Sequence, residues 1–233
     1  SPFENLDDAI EAFGQAIQRI NRKKGKDLPQ LHFVWTVRRD KDFLDGDGKQ
    51  DAKKMRSIAR TINKAYDDGT IAAVAFLGAE KEDLHVFEPF FRARHKRMPL
   101  FLLTGQTFPN PDGSPLDPKR KKLILHNISH IKDTIMTKRS KVALWGLQII
   151  SHLQPHEVEE LNRILPNNIS VILTLRFDYL TGLVQDMRKH PINQLEKPMM
   201  TVYYASGNPA FAAGDASPML YMFSLLANTA GMP

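Results

Sequence analysis

The stretch IAAVAFL, Ile71 to Leu77, decides the fold. Every residue in it is apolar, so as a strand it has no polar side to give to water. A strand buried on both faces is the habit of parallel sheets covered by helices. Five more runs of the same kind lie outward from it: Leu31–Val37, Leu100–Leu103, Val142–Ile150, Ile169–Leu175 and Met199–Tyr204. Helix-like segments separate them. Met55, Ile58, Ile62 and Tyr66 recur at helical steps, and a short helix spans Leu84–Arg94. Asp117-Pro118 reads as an N-cap followed by proline at the first helical position, opening a helix that runs to about Lys138. Pro155 to Leu165 and Tyr179 to Lys189, the latter capped by Asp178, complete the set. Six β-α units in a row predict an α/β fold: a mostly parallel six-stranded sheet, doubly wound, with helices on both faces. The alternative is an incomplete or irregular β/α barrel, a closed form that normally needs eight units and about 250 residues.

Ahead of the alternation, Phe3, Leu6, Ile10, Phe13, Ile17 and Ile20 recur at three- and four-residue steps, which predicts an amphipathic helix over 3–22. The 233 residues therefore read as a single α/β domain: 1–27 an N-terminal helix and linker, 28–233 the alternating core. Residues 219–227, Met219 to Ala227, are apolar on nearly every side. These two apolar helices predict contact with a larger protein, a complex or a second copy. The start, Ser-Pro-Phe, carries no basic n-region, no h-region and no initiator Met, which predicts a piece of something longer without a signal peptide. Hydrophobic residues at 42% and charged residues at 25% are ordinary globular composition. No apolar stretch approaches the roughly 18 residues of a membrane span. The absence of cysteine excludes disulfides, thiolate metal sites and cysteine nucleophiles. A cytoplasmic location is expected.

The net charge of +6 is unevenly spread. Residues 92–141 hold 12 Lys/Arg and 3 Asp/Glu, while the rest of the chain is slightly acidic. Arg92, Arg94, Lys96 and Arg97, then Lys119, Arg120, Lys121 and Lys122, make this segment a candidate surface for an acidic protein or a nucleic acid. Its aromatics are sparse, which argues against recognition of single strands by base stacking. A solubilising charged face is the simpler reading of such a run.

Open parallel sheets bind ligands beyond the carboxyl ends of their strands. The polar residues just past each run are therefore the expected site: Arg38, Arg39 and Asp40, Gly78 and Glu80, Thr104, Gly105 and Gln106, Ser151 and His152, Arg176 and Asp178, and Ser206, Gly207 and Asn208. Arg38 and Arg176, on different strands, are suited to clamp a phosphate or carboxylate through their planar forks. The small-residue loop 206–217 joins a strand to a helix start, where backbone N–H groups receive anions. Binding residues are thus expected among Arg38, Asp40, Thr104, Gly105, Arg176, Asp178, Ser206, Gly207 and Asn208.

The chemistry-bearing motifs are absent. There is no Gly-x-x-x-x-Gly-Lys-Ser/Thr loop and no Gly-x-Gly-x-x-Gly after any run. No Gly-x-Ser-x-Gly elbow occurs either. Asp45 to Asp51 resembles part of a calcium loop, but its glycines fall out of register, and an N-cap turn before the next helix accounts for it better. His126, His130 and Asp133 share one side of a predicted helix, opposite Ile124, Ile128, Ile131 and Ile135. They can present two nitrogens and a carboxylate to a metal, yet a solvated helix side is the simpler account, and no metal or cofactor is assigned. The expectation is a domain of a larger protein or complex that binds a phosphate-containing or other anionic ligand, or an acidic partner, at its strand ends. A hydrolase using carboxylates or a histidine metal site at that edge, and a nucleic-acid module using 92–141, are the alternatives.

Overall fold

The computed structural model describes residues 6–23, 32–105, 116–135, 141–146, 148–166, 169–173, 191–195 and 201–204. In chain order the elements are α1 (Leu6–Lys23), β1 (Val34–Arg38), α2 (Ala52–Asp67), β2 (Ala73–Leu77), α3 (Glu88–Ala93) and β3 (Leu100–Thr104). Then come α4 (Pro118–Thr134), β4 (Val142–Gly146), α5 (Pro155–Ile164), β5 (Ser170–Leu173) and β6 (Thr201–Tyr204), with 3-10 turns at Leu84–Phe87, Gln148–His152 and Pro191–Gln194. The chain divides into two compact units, residues 1–102 with 130–142, and residues 103–129 with 143–233. Helix α4 runs without interruption across the boundary.

In the first unit, β1 pairs in parallel with β2 from Val34↔Ala73 to Arg38↔Leu77, and β2 with β3 from Val74↔Leu100 to Phe76↔Leu102. The Leu100 N–H donates to the Lys141 carbonyl at 2.8 Å, bringing the start of β4 alongside. The single six-stranded sheet expected from the apolar runs is corrected here: the parallel sheet has four strands, not six. In the second unit β4, β5 and β6 pair in parallel, from Ala143↔Ser170 and Ser170↔Thr201 onward. Apolar runs say that strands are buried, not which of them share a sheet. The run Val142–Ile150 is likewise not one strand, since β4 ends at Gly146 and a 3-10 turn follows.

Double winding is the second correction. Within each unit neighbouring strands follow chain order, with no reversal. Right-handed crossovers between strands laid in that order carry every helix to the same face. Accordingly α2 and α3 pack on each other over one face of β1–β3. Paired residues of parallel strands share a face, so Val37, Phe76 and Leu102 all point to that covered side, and all are fully buried. Phe43, Phe87, Phe90 and Phe91 close over Phe76 with ring centroids 4.9 to 6.0 Å apart. Each fully buried ring of this kind contributes about 1.5–3 kcal/mol.

Helix α2 shows why these segments are helical. Met55, Ala59, Ile62 and Ala65 form its buried stripe. Asp51 caps the start by accepting the Lys53 N–H at 2.7 Å. At the other end Gly69 takes φ +71°, the Thr70 N–H returns to the Ala65 carbonyl at 2.9 Å and the Gly69 N–H to the Tyr66 carbonyl at 3.1 Å. That pair of bonds is a Schellman stop, which needs a residue at ease with positive φ. Helix α1 docks beside α2 through Ile10 and Gly14; a Cβ on Gly14 would lie 2.2 Å from Thr70 Cγ2. Its stripe is only partly used, since Phe13 and Ile20 remain 50% and 45% exposed. In the described residues no helix is long and apolar enough to cross a membrane.

Candidate functional site

The C-terminal ends of β1 and β2 build one polar corner of the first unit. Chain reversal after β1 is tight, with the Asp42 N–H returning to the Arg38 carbonyl at 2.9 Å and the Asp42 carboxylate accepting the Arg38 N–H at 2.7 Å. This turn places Asp40 under the Arg38 fork. Arg38 Nε donates to Asp40 Oδ1 at 3.2 Å and Nη2 to Oδ2 at 2.9 Å. The bidentate bond from Arg38 holds the Asp40 carboxyl below the usual carboxylate range, against some desolvation, and raises Arg38 in turn. Gly78, the first residue past β2, takes φ +98°, and a Cβ there would stand 2.3 Å from Asp40 Oδ1. Only glycine fits both the backbone and the carboxylate.

The next residue turns the opposite way. Arg39 follows Val37 by two along the same chain direction, so strand alternation carries it to the covered face. It lies beside the Phe76 ring, 5.2 Å from its centroid, with Nε 3.4 Å from the Leu77 carbonyl and Nη1 3.8 Å from Glu80 Oε1. Burial pulls Arg39 below its ordinary range, while Glu80 and Asp40 pull the other way. Arg39 and Glu80 thus form a buried pair under the corner, a structural role that reading Arg38-Arg39-Asp40 as one polar edge does not separate. The signal was present: the period of two continues one residue beyond the strand.

Of the remaining expected ligand contacts, Thr104 is buried and Gly105 has φ +68°. The Gly105 carbonyl accepts the Ile149 N–H at 2.7 Å, tying the end of β3 to the turn after β4 inside the second unit. Arg176, Asp178, Ser206, Gly207 and Asn208 lie outside the described residues.

The basic residues take varied positions. Arg92 pairs with Glu88 at 2.6 Å. Arg94 is buried, donating Nη1 to the Met98 carbonyl and, at 3.3 Å, to that of His95; burial pushes it down to about 10. It fastens the loop after α3 rather than facing solvent. Lys96 and Arg97 are exposed in the first unit. In the second unit Lys121 bonds Glu157 at 2.6 Å and the His152 carbonyl at 3.3 Å, Arg120 is half-buried, and Lys119 and Lys122 are exposed. Burial, with Lys121 and Arg120 close by, holds His152 below the ordinary imidazole range.

The acidic loop 45–51 is a capping turn, as expected. Asp45 accepts the N–H groups of Asp47 and Lys49 at 2.9 and 2.8 Å, and its carboxylate is thereby committed to the backbone. On α4, Ile124, Ile128 and Ile131 are buried, as is Ile135 just past its end, and His126 is exposed, also as expected. The companion of His130 is a residue the sequence did not suggest. His85, from the 3-10 turn after β2, meets His130 edge-on with ring centroids 4.4 Å apart. The chain matches no family model and no curated protein.

Proposed function

We propose that this chain is an α/β domain of a larger protein or complex. In this reading it binds a phosphate-containing or otherwise anionic ligand, or the acidic group of a partner, at the C-terminal ends of its parallel strands, without a P-loop or dinucleotide motif. The observation that supports the reading is the Arg38 fork, half-exposed at the end of β1 and already seating a carboxylate in bidentate fashion. A planar guanidinium receives carboxylate and phosphate oxygens in the same geometry. Asp40 then acts as an internal stand-in, which an incoming anion displaces. Gly78, lacking a Cβ, gives that carboxylate the room it occupies.

The reading makes opposite demands on the two partners. In calorimetric titration with inorganic phosphate, pyrophosphate and a nucleoside triphosphate, Arg38→Gln is expected to lower affinity at least tenfold. Asp40→Asn, which removes the competing charge, is expected to raise it several-fold. If Arg38→Gln binds as well as the parent, or Asp40→Asn binds more weakly, the corner is not an anion site.

A further inference from the structure

We propose that the exposed side of α2 binds the phosphate backbone of a nucleic-acid duplex, without regard to base sequence. Lys53, Arg56, Arg60 and Lys64 follow one another at three- and four-residue steps, so they stand in one row along the helix. All four are exposed, while the stripe of Met55, Ala59, Ile62 and Ala65 is buried in the core. The whole row lies within the first unit. Among the described residues none of the four takes part in an ion pair.

Such a row costs the helix stability. Like charges three and four residues apart repel one another. Lys53 also stands in the first turn, which holds no acidic residue and where the helix dipole disfavours a cation. Other helices of the chain balance their charges: Arg92 pairs with Glu88 on α3 and Arg163 with Glu159 on α5, each four residues apart. A face kept only for solubility mixes both signs. Residues 53–64 instead hold five Lys/Arg and no Asp/Glu, a pattern that an anionic partner explains and water alone does not.

Length and surroundings choose the partner. From Lys53 to Lys64 the helix rises about 16 Å. One strand of a duplex carries a phosphate about every 3.4 Å of its axis, so each of the four cations has a phosphate to take. Exposed Ser57 and half-buried Thr61 lie alongside the row, and hydroxyls of this kind donate to phosphate oxygens. Asn63 ties the loop after α3 to the same helix, donating to the Ala93 carbonyl at 2.8 Å and accepting the His95 N–H at 2.7 Å. Exposed Lys96 and Arg97 follow in that loop and add charge on the flank. Asp67 and Asp68 close the row at the C-terminal end of the helix. A bilayer fits less well, because the apolar side of α2 is consumed by the core and nothing is left to enter the acyl region. Stacking on single-stranded bases needs aromatics, and residues 53–64 hold none, while the Tyr66 ring packs against His95.

The test is fluorescence anisotropy of a labelled DNA duplex titrated with the full chain. Four phosphate contacts predict a slope of log affinity against log salt of about −3 to −4, so affinity should fall about 150-fold between roughly 50 and 200 mM KCl. Two duplexes of unrelated sequence should bind alike. Arg56→Gln/Arg60→Gln should lower affinity at least tenfold at the lower salt and make the slope shallower by about 2, and Lys53→Gln alone by about 1. Arg56→Lys/Arg60→Lys should keep both, since a phosphate accepts either cation. These positions are exposed and like-charged, so the melting temperature of the glutamine variants should stay level or rise, which separates lost binding from lost folding. Lys119→Gln/Lys122→Gln in the second unit, and Arg38→Gln at the strand ends, should leave duplex binding unchanged. No binding at the lower salt, or equal binding by the parent and Arg56→Gln/Arg60→Gln, overturns the proposal. So does an equal loss in the Lys119→Gln/Lys122→Gln or Arg38→Gln controls, or binding to phosphatidylserine vesicles without binding to the duplex. The anion site at Arg38 and Asp40 is read separately, with small anions, and stands or falls on its own.

Discussion

Two cation–carboxylate pairs sit one residue apart at the end of β1, and they behave as opposites. Arg38 and Asp40 are 2.9 Å apart, with side chains 47% and 20% exposed; Arg39 and Glu80 are 3.8 Å apart, with side chains 2% and 4% exposed. Distance alone ranks the first pair higher. Environment reverses the ranking, because water screens the exposed pair and competes for its hydrogen bonds, whereas nothing replaces a lost partner in the interior. Alternation along one strand has therefore produced two devices from the same residue types. One is a half-exposed fork holding a carboxylate, and the other a strut between the β1 turn and the end of β2.

The largest effect that sharpens this contrast is on stability. Arg39→Ala takes the buried cation away from Glu80 and the guanidinium from Phe76, so it is expected to cost about 3–5 kcal/mol. Arg38→Ala, which removes only a screened exposed partner, is expected to lower the urea midpoint slightly. Equal midpoints for the two variants would show that the interior pair is solvated, and the distinction would go.

A smaller effect tests how Asp40 is seated. Gly78→Ala puts a Cβ on a residue at φ +98° and 2.3 Å from Asp40 Oδ1. Backbone strain of this kind costs about 1–3 kcal/mol, with the clash added. Asp40→Ala in the same chain should recover the clash and not the strain, so the double variant is expected to fall between Gly78→Ala and the parent in urea denaturation. Full recovery would assign the whole cost to the carboxylate and none to the turn.

What could be read from the sequence follows from how local each determinant is. The ends of α2, set by Asp51 and Gly69, and the isoleucine side of α4 depend on residues within a few positions of one another, and they are where the pattern places them. The strand cores within the apolar runs were legible for the same reason. Sheet membership and winding were not, because Ile71–Leu77 reads identically in a doubly wound sheet and in one laid down in chain order. The site divides along the same line. Arg38 and Asp40 are two residues apart and their meeting is a turn property, while Arg39 with Glu80 and His85 with His130 are non-local. For His130 the sequence offered Asp133, three residues along; the fold supplied His85 instead, from a different element.

The smallest effect concerns acid. The folded-state pKa of Asp40 is depressed, chiefly by the Arg38 hydrogen bond. Its unfolded value is about 3.9. The unfolded chain therefore binds the proton first as pH falls, and the contribution of Asp40 to stability, complete above about pH 5, is lost as pH drops through the folded value. Asp40→Asn cannot titrate. It is expected to lie slightly below the parent in urea midpoint near neutrality, with the two curves converging in acid. Since Arg38 keeps its charge throughout, the convergence reports the carboxylate alone. A gap that stays constant below pH 4 would mean that the fork and the carboxylate are not coupled in solution, and the exposed pair would then be no stand-in for a ligand.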